Sequence, residues 1–329
     1  MRKFTLYWSS LKTYEECPRK FLWGRGYKEI DVGGGPGRRK PVPVRRSAHH
    51  AVLGIAIQEV IERFYNDELW LLVSPQELLP RLMEITEKTL SRELASKYVD
   101  WREAPTREEM EKLAKAAVVG YIHTLKKHNL LGPYAKAEVD LTAYLNKWVP
   151  IGGRADMIIR RADTGVTILD GKNSKRYKNK KKAGGWITYT DPDQLRWYAL
   201  CYYLCYNKQL PDRVGFVYFR YPSGDPVLDT EGKETGEIEP GIEWVNFTLD
   251  DLRGLGQRAL DAKKGMDREQ FEPVPSPPTC RFCDYETVCA ERQAQKDENR
   301  KKRPRKPSDL MKQMDGQESN SGVFDLSFD

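Results

Sequence analysis

Residues 152–172 read GGRADMIIRRADTGVTILDGK, and the fold turns on this stretch. Two runs rich in aliphatic side chains, Arg154–Arg161 and Val166–Gly171, flank the tetrapeptide Ala162-Asp-Thr-Gly165. That tetrapeptide has the composition of a tight turn, so the stretch is expected to fold as a β-hairpin. Asp156 stands near the start of the first strand, and Asp170 and Lys172 stand at the end of the second. Side chains two apart on a strand share a face, so Asp170 and Lys172 point together and Gly171 leaves its carbonyl accessible between them. The run Val166-Thr-Ile-Leu169 marks a central, buried strand. Carboxylates carried into such a position need partners or a metal.

Outward from the hairpin, Ala135–Leu145, Arg213–Tyr221 and Ile242–Phe247 are further strands, the last two separated by a Gly/Asp/Glu-rich hairpin tip. Helical periodicity governs the rest. Ser9–Arg25 carries Leu11, Tyr14 and Phe21 at helical spacing and is interrupted by Pro18; Ser47–Tyr65 carries Val52, Ile55, Ile57, Val60, Ile61 and Phe64. Helices are also expected within Pro75–Tyr98, over Thr106–His128 behind a Thr106/Glu109 capping box, over Asp191–Tyr206, and from Thr248 or Asp250 to Met266. Helices flanking a small mixed sheet place the chain in the α/β (α+β) class. The organisation expected is one domain over residues 1–295, with a helical insertion at about 66–130 and a disordered, charged tail over 296–329. Gly33–Arg46 is a Gly/Pro/Arg-rich loop, and its GGGPGRRK lacks the Gly-Lys-Ser/Thr ending of a phosphate-binding P-loop.

At 39% hydrophobic content the 329 residues suit a globular protein. No run approaches the roughly 18 apolar residues of a membrane span, and no signal core follows Met1, so a cytoplasmic location without membrane association is expected. The net charge of +7 is unevenly spread: Gly171–Gly185 holds seven basic residues and no acid. Lys175, Arg176, Lys178, Lys180, Lys181 and Lys182 directly follow the second strand of the hairpin, where a polyanion approaching Asp170 must pass, and Tyr177 and Trp186 add stacking surfaces. A second basic cluster, Lys301–Lys306, lies in the tail.

Two carboxylates and an ammonium are the parts that phosphodiester hydrolysis requires: hard oxygen ligands for Mg2+ or Mn2+, and positive charge facing the developing phosphorane. A bare D-x13-D-x-K match is short enough to occur on an ordinary surface hairpin. Twenty-odd residues on, however, Gln194 and Tyr198 share one face of a helix at i and i+4. Cys280-Arg-Phe-Cys283 and Cys289 form a second constellation, with Cys17 as the remaining partner; three cysteines so close imply a metal-ligand set, zinc and iron–sulfur both being compatible. Cys201 and Cys205, at i and i+4 in a Tyr-rich helix, read as core thiols.

Gly152-Gly-Arg-Ala-Asp156, Ile168-Leu-Asp-Gly-Lys172-Asn-Ser-Lys175 and Gln194…Tyr198 occur in the order that resembles the RecB-like branch of the PD-(D/E)XK nucleases. One cysteine before these motifs and three after them resembles that branch's iron–sulfur subset, which includes CRISPR-associated and AddB-type nucleases. The resemblance runs from Ser9 to Cys289 and implies a restriction-endonuclease-like sheet flanked by helices. It also implies a [4Fe–4S] cluster on Cys17, Cys280, Cys283 and Cys289 joining the two ends. It further implies a metal-dependent deoxyribonuclease, exonucleolytic on single strands or DNA ends, with Asp156, Asp170 and the Gly171 carbonyl on Mg2+ or Mn2+. Lys172 would orient or activate water, and Gln194 and Tyr198 would position the nucleophile or a phosphate. With no helicase motif in the chain, unwinding would fall to a helicase or a recombination or replication partner. Leu53–Glu62 resembles the family's first helix, but Gln58 stands where the family normally offers a histidine. Gln58 keeps a carbonyl oxygen for metal, with Glu62 one turn away. The competing possibility is a non-catalytic DNA-binding module on a decayed nuclease fold.

Overall fold

The computed structural model describes residues 4–24, 47–72, 75–96, 99–100, 106–172, 177–178, 186–187, 190–218, 225–228, 234–239, 241–276, 279–280, 283, 285–286 and 289–302. The chain divides into two compact units. Met1–Glu15 with Val44–Phe271 makes the larger, and Glu16–Pro43 with Glu272–Asp329 the smaller.

The larger unit is built on a six-stranded mixed sheet. Its strands are β1 (Leu6–Tyr7), β4 (Ala135–Leu145), β5 (Val149–Arg161), β6 (Gly165–Lys172), β9 (Arg213–Tyr218) and β12 (Ile242–Val245). Three short ribbons lie outside it: β2 (Ser47–Ala48) with β3 (Val99–Asp100), β7 (Tyr177–Lys178) with β8 (Trp186–Ile187), and β10 (Asp225–Leu228) with β11 (Glu234–Glu239). The long strand β5 organises the sheet. It pairs antiparallel with β4 along most of its length, antiparallel with β6 at Met157–Arg161, and parallel with β1 at Ile151 and Gly152. β6 then pairs parallel with β9, setting Asp170 beside Phe216 and Lys172 beside Tyr218. β6 is thus the buried central strand that its aliphatic run requires, with Ile168 and Leu169 fully buried. The expected turn closes the β5–β6 hairpin. Gly165 takes φ +70° there, and a Cβ would collide with the Asp212 carboxylate that accepts from the Val166 amide at 2.6 Å.

One face is covered by α3 (His49–Asn66), α4 (Pro75–Ser96) and α5 (Arg107–Lys127), whose Ile57, Val60, Phe64, Ile85 and Val118 join Met157, Ile159, Leu169 and Val217 in one apolar cluster. The helices placed in the expected insertion therefore share the sheet's own core. α6 (Pro192–Cys205) packs against β4, β5 and α7 (Leu249–Asp267). The Thr106/Glu109 capping box forms as expected, and Thr248 with Asp251 makes another that settles the start of α7. Asp191 caps α6, with Pro192 at the first helical position.

Two boundaries differ from those expected, and one agrees. Asp156 lies in the middle of a strand rather than near its start, because β4 and β5 form a tight hairpin whose Asn146 and Lys147 both take positive φ, as such a turn demands. The N-terminal helix splits into α1 (Trp8–Glu16) and α2 (Pro18–Gly24), consistent with the break expected at Pro18. At the other end, α8 (Ala290–Lys302) carries helical structure past Gln295. It has no apolar periodicity to announce it, and its first turns are tied by Arg292 and Lys296 to Glu286 at 3.1 Å each. Residues from Arg303 onward, most of the basic Lys301–Lys306 cluster among them, lie outside the described residues. None of the described helices is long and apolar enough to cross a membrane.

Candidate active site

The register that pairs Met157 with Leu169 runs on to set Asp156 opposite Asp170, where the β5–β6 ladder ends. The Gly171 amide donates to Asp156 Oδ2 at 2.7 Å, bringing the two strands' functional groups together. Asp170 is almost fully enclosed, its side chain 3% exposed, and it forms an ion pair with Lys172 on the same strand face. α6 supplies the remaining polar groups. Gln194 Nε2 donates to Asp170 Oδ1 at 2.9 Å and to the Tyr198 hydroxyl at 3.1 Å, while its Oε1 accepts from Lys172 Nζ at 3.0 Å. One amide thus spans both charged groups of the β6 terminus, and the i, i+4 spacing of Gln194 and Tyr198 is what lets both reach it. Lys172 Nζ also lies 5.3 Å from the Phe216 ring centroid, so an aromatic face closes its other side.

A small cavity opens beside Asp156, lined by Gln58 and Ile61 of α3, Tyr121 of α5, and Gly171. Gln58 thus lines the same cavity as Asp156 and Gly171. Its Nε2, however, donates to Glu138 on β4 at 2.6 Å. Glu62 turns instead toward Arg154, standing 4.0 Å from its Nη2, and Arg154 Nε also pairs with Glu138 Oε2 at 2.6 Å. Glu138 and Arg154 are the residues that sequence reasoning missed. Arg154 lies inside the Gly152–Asp156 motif, and Glu138 carries no local signal beyond an acid in a strand.

Burial governs the electrostatics. Desolvation pushes the Asp156 carboxyl well above the usual carboxylate range, and the neighbouring Asp170 pushes it further; the Gly171 amide and Lys172 oppose both. Desolvation raises Asp170 too, against the pull of Lys172 and Tyr198. Tyr198 is raised by burial and then by both carboxylates, so it stays a neutral hydroxyl. Two carboxylates sharing a site with one ammonium lack cationic charge, and a divalent cation meets that need. Among the described residues no three His, Cys, Asp or Glu side chains are gathered into a ready-made metal cage. Asp156, Gly171 and Gln58 line the cavity and the Asp170 carboxylate neighbours Asp156, so two carboxylates, a backbone carbonyl and an amide would supply the oxygen donors. Mg2+ accepts such a set, since it keeps several waters and takes substrate phosphate as ligand. The residues fit the ion.

The PD-(D/E)XK nuclease superfamily matches residues 7–290 of the chain. The chain belongs to that superfamily. Its mixed sheet flanked by helices accords with the restriction-endonuclease-like architecture of PD-(D/E)XK nucleases, and such enzymes commonly use Mg2+ or Mn2+. Among solved structures, the crystal structure of SSO0001 is similar at 14% identity with a TM-score of 0.30, over 84% of this chain and 95% of that one. No curated protein is a significant match.

In the smaller unit Cys17, Cys280, Cys283 and Cys289 line one pocket, together with Lys20, Trp23 and Arg292. Desolvation raises the Cys283 and Cys289 thiols. Cys201, by contrast, is fully buried in α6, as a core thiol should be, whereas Cys205 is only half-buried and its Sγ donates to the Thr142 carbonyl at 3.2 Å. Of the basic run, Lys175, Arg176, Lys180, Lys181 and Lys182 lie outside the described residues, and for Lys178 only the strand position is described.

Proposed function

We propose that this PD-(D/E)XK protein is a metal-dependent deoxyribonuclease of the RecB-like branch, acting exonucleolytically on single-stranded DNA or DNA ends. The observation that carries the proposal is the enclosed Asp170–Lys172–Gln194–Tyr198 network abutting Asp156. A structural hairpin has no use for two desolvated carboxylates and an ammonium cross-braced by one amide. Asp156, Asp170, the Gly171 carbonyl and Gln58 would hold Mg2+ or Mn2+. When bound, the ion supplies Lewis-acid polarisation of the phosphodiester and lowers the pKa of attacking water. Lys172, oriented by the Gln194 carbonyl, places positive charge where negative charge grows on the phosphoryl oxygens. Tyr198 keeps the Gln194 amide from rotating. The basic run from Lys175 to Lys182 would track the backbone, and a helicase or a recombination or replication partner would supply unwound strands.

In the smaller unit, a [4Fe–4S] cluster on Cys17, Cys280, Cys283 and Cys289 is the cofactor we favour. Four cysteines line one pocket, the number of thiolates that such a cluster takes, and this supports the reading. The smaller unit would thus be tied across the chain by its cofactor rather than by a large apolar core.

The second possibility, a DNA-binding module without catalysis, draws on Gln58 standing where the family has histidine. Incubation of pure protein with end-labelled linear and with circular single-stranded DNA, in EDTA, Mg2+ or Mn2+, separates the two. The proposal expects metal-dependent degradation of the linear strand and sparing of the circle. Cleavage of both with equal rates overturns the end preference, and binding without cleavage in either metal favours the module.

A further inference from the structure

Glu138 is the outlier of the sheet. Residues on either side of it hold regular register, Ala137 with Met157 and Val139 with Ala155, so position 138 falls opposite Asp156. Yet Glu138 itself takes φ +51°, in the left-handed region that a glutamate rarely occupies. A non-glycine residue held there within a long strand is sustained by its surroundings, and such outliers gather at functional sites. Its side chain is 12% exposed and engaged at both oxygens. Oε1 accepts from Gln58 Nε2 at 2.6 Å and Oε2 pairs with Arg154 Nε at 2.6 Å.

The chemistry of that first contact fixes an orientation. An amide has one donor end and one acceptor end, whereas an ionised carboxylate only accepts. Gln58 must therefore turn its NH2 to Glu138, and its carbonyl oxygen is committed to the other side. Gln58, Asp156 and Gly171 line the same cavity. Burial raises the Glu138 carboxyl, and the Gln58 amide and Arg154 oppose that rise while the Arg154 ion pair holds the side chain in place.

We infer that Glu138 is a positioning residue of the metal site: it locks the Gln58 amide with its oxygen available to the cation, so that an amide serves where the family offers an imidazole. Outer groups that orient a ligand matter about tenfold to a hundredfold in metal affinity. The inference rests on the metal-site assignment proposed above.

The test is Mn2+ titration of the full-length protein, without DNA, by the electron paramagnetic resonance of free Mn2+. The variants are Asp156→Ala, Gln58→Ala, Glu138→Gln, Glu138→Asp and the double variant Gln58→Ala/Glu138→Gln, each checked for cooperative thermal unfolding. Glutamine at 138 can donate as well as accept, so the orientation is released. Aspartate keeps the charge but withdraws it by one carbon. Both substitutions at 138 and Gln58→Ala should weaken Mn2+ binding by roughly tenfold, and Glu138→Gln should add nothing once Gln58 is alanine. If Asp156→Ala binds as the wild type does, the metal site is misassigned and the inference falls with it. If Asp156→Ala loses the ion, three results overturn the role of Glu138 alone. These are undiminished affinity in Glu138→Gln, wild-type affinity in Glu138→Asp, or an equal further loss from Glu138→Gln in the Gln58→Ala background.

Discussion

Gly153→Ala offers a way to disturb the proposed site without touching any of its polar groups. A Cβ at position 153 would lie 2.8 Å from Tyr198 Cδ1 and 3.1 Å from Cε1. Carbon atoms in contact settle at about 3.5 Å, so the gap must open by roughly 0.7 Å. The obstructing atoms belong to the body of a ring that is 8% exposed in the middle of α6, and they cannot swing aside as the tip of a flexible chain could. Overpacking of this kind costs about 1–3 kcal/mol. The displaced hydroxyl is the one that accepts from Gln194, the amide bridging Asp170 and Lys172. Misplacement of positioning groups by about 1 Å lowers rates around a hundredfold, so a loss of roughly tenfold to a hundredfold is expected here. The assay is the initial rate on an end-labelled single-stranded oligonucleotide in Mg2+, beside a thermal melt. Gly254→Ala is the control: no atom lies within 4 Å of its Cβ, and in a helix interior alanine should stabilise by up to about 1 kcal/mol. A Gly153→Ala protein that folds and cleaves at the wild-type rate refutes the positioning role given to Tyr198.

Other perturbations address separate parts of the molecule. Cys17→Ser should yield protein with little bound iron and a lower melting temperature, read by metal analysis after anaerobic purification; stoichiometric zinc in the wild type would refute the cluster. Neutralising Lys178, Lys180, Lys181 and Lys182 together should flatten the salt dependence of single-strand binding, the log–log slope falling by roughly 0.7 for each phosphate no longer neutralised. An unchanged slope returns that run to an ordinary solvated loop. His128, at the end of α5, has its Nε2 enclosed with no hydrogen-bond partner among the described residues, and burial, then Lys127 and Arg213, hold its pKa below the usual histidine value. The unfolded chain therefore binds the proton more readily, so this residue's contribution to stability is intact above about pH 6.5 and is lost as pH falls below it. His128→Gln should remove that part of the acid sensitivity in melts between neutral and mildly acidic pH.

Periodicity made most of the architecture legible. The central position of β6 followed from Val166–Leu169, the cap of α5 from Thr106 and Glu109, and the co-location of Gln194 with Asp170 from the place of the motif on a helix. What escaped was non-local or had no pattern. β1 is two residues long, and only its parallel pairing with Ile151 and Gly152 defines it. The hairpin at Asn146-Lys147 depends on two positive φ angles that asparagine alone hints at. α8 is polar all round, so its composition resembles a solvated tail until Glu286 gathers its cations. Glu138 was invisible because its contacts come from the register opposite Asp156 and from a partner 80 residues away in sequence.

The central claim, that Asp156, Asp170 and Lys172 form a metal-dependent nuclease centre, is tested most directly by cleavage of single-stranded DNA in Mg2+ by the wild type, Asp170→Asn and Lys172→Met. The wild type should cleave and should stop on addition of EDTA. Both variants should lose activity by about a hundredfold to a thousandfold or more, since each removes charge stabilisation at the transition state, while unfolding cooperatively and still binding DNA. Cleavage that persists in EDTA, or folded variants that cut as fast as the wild type, would contradict the account.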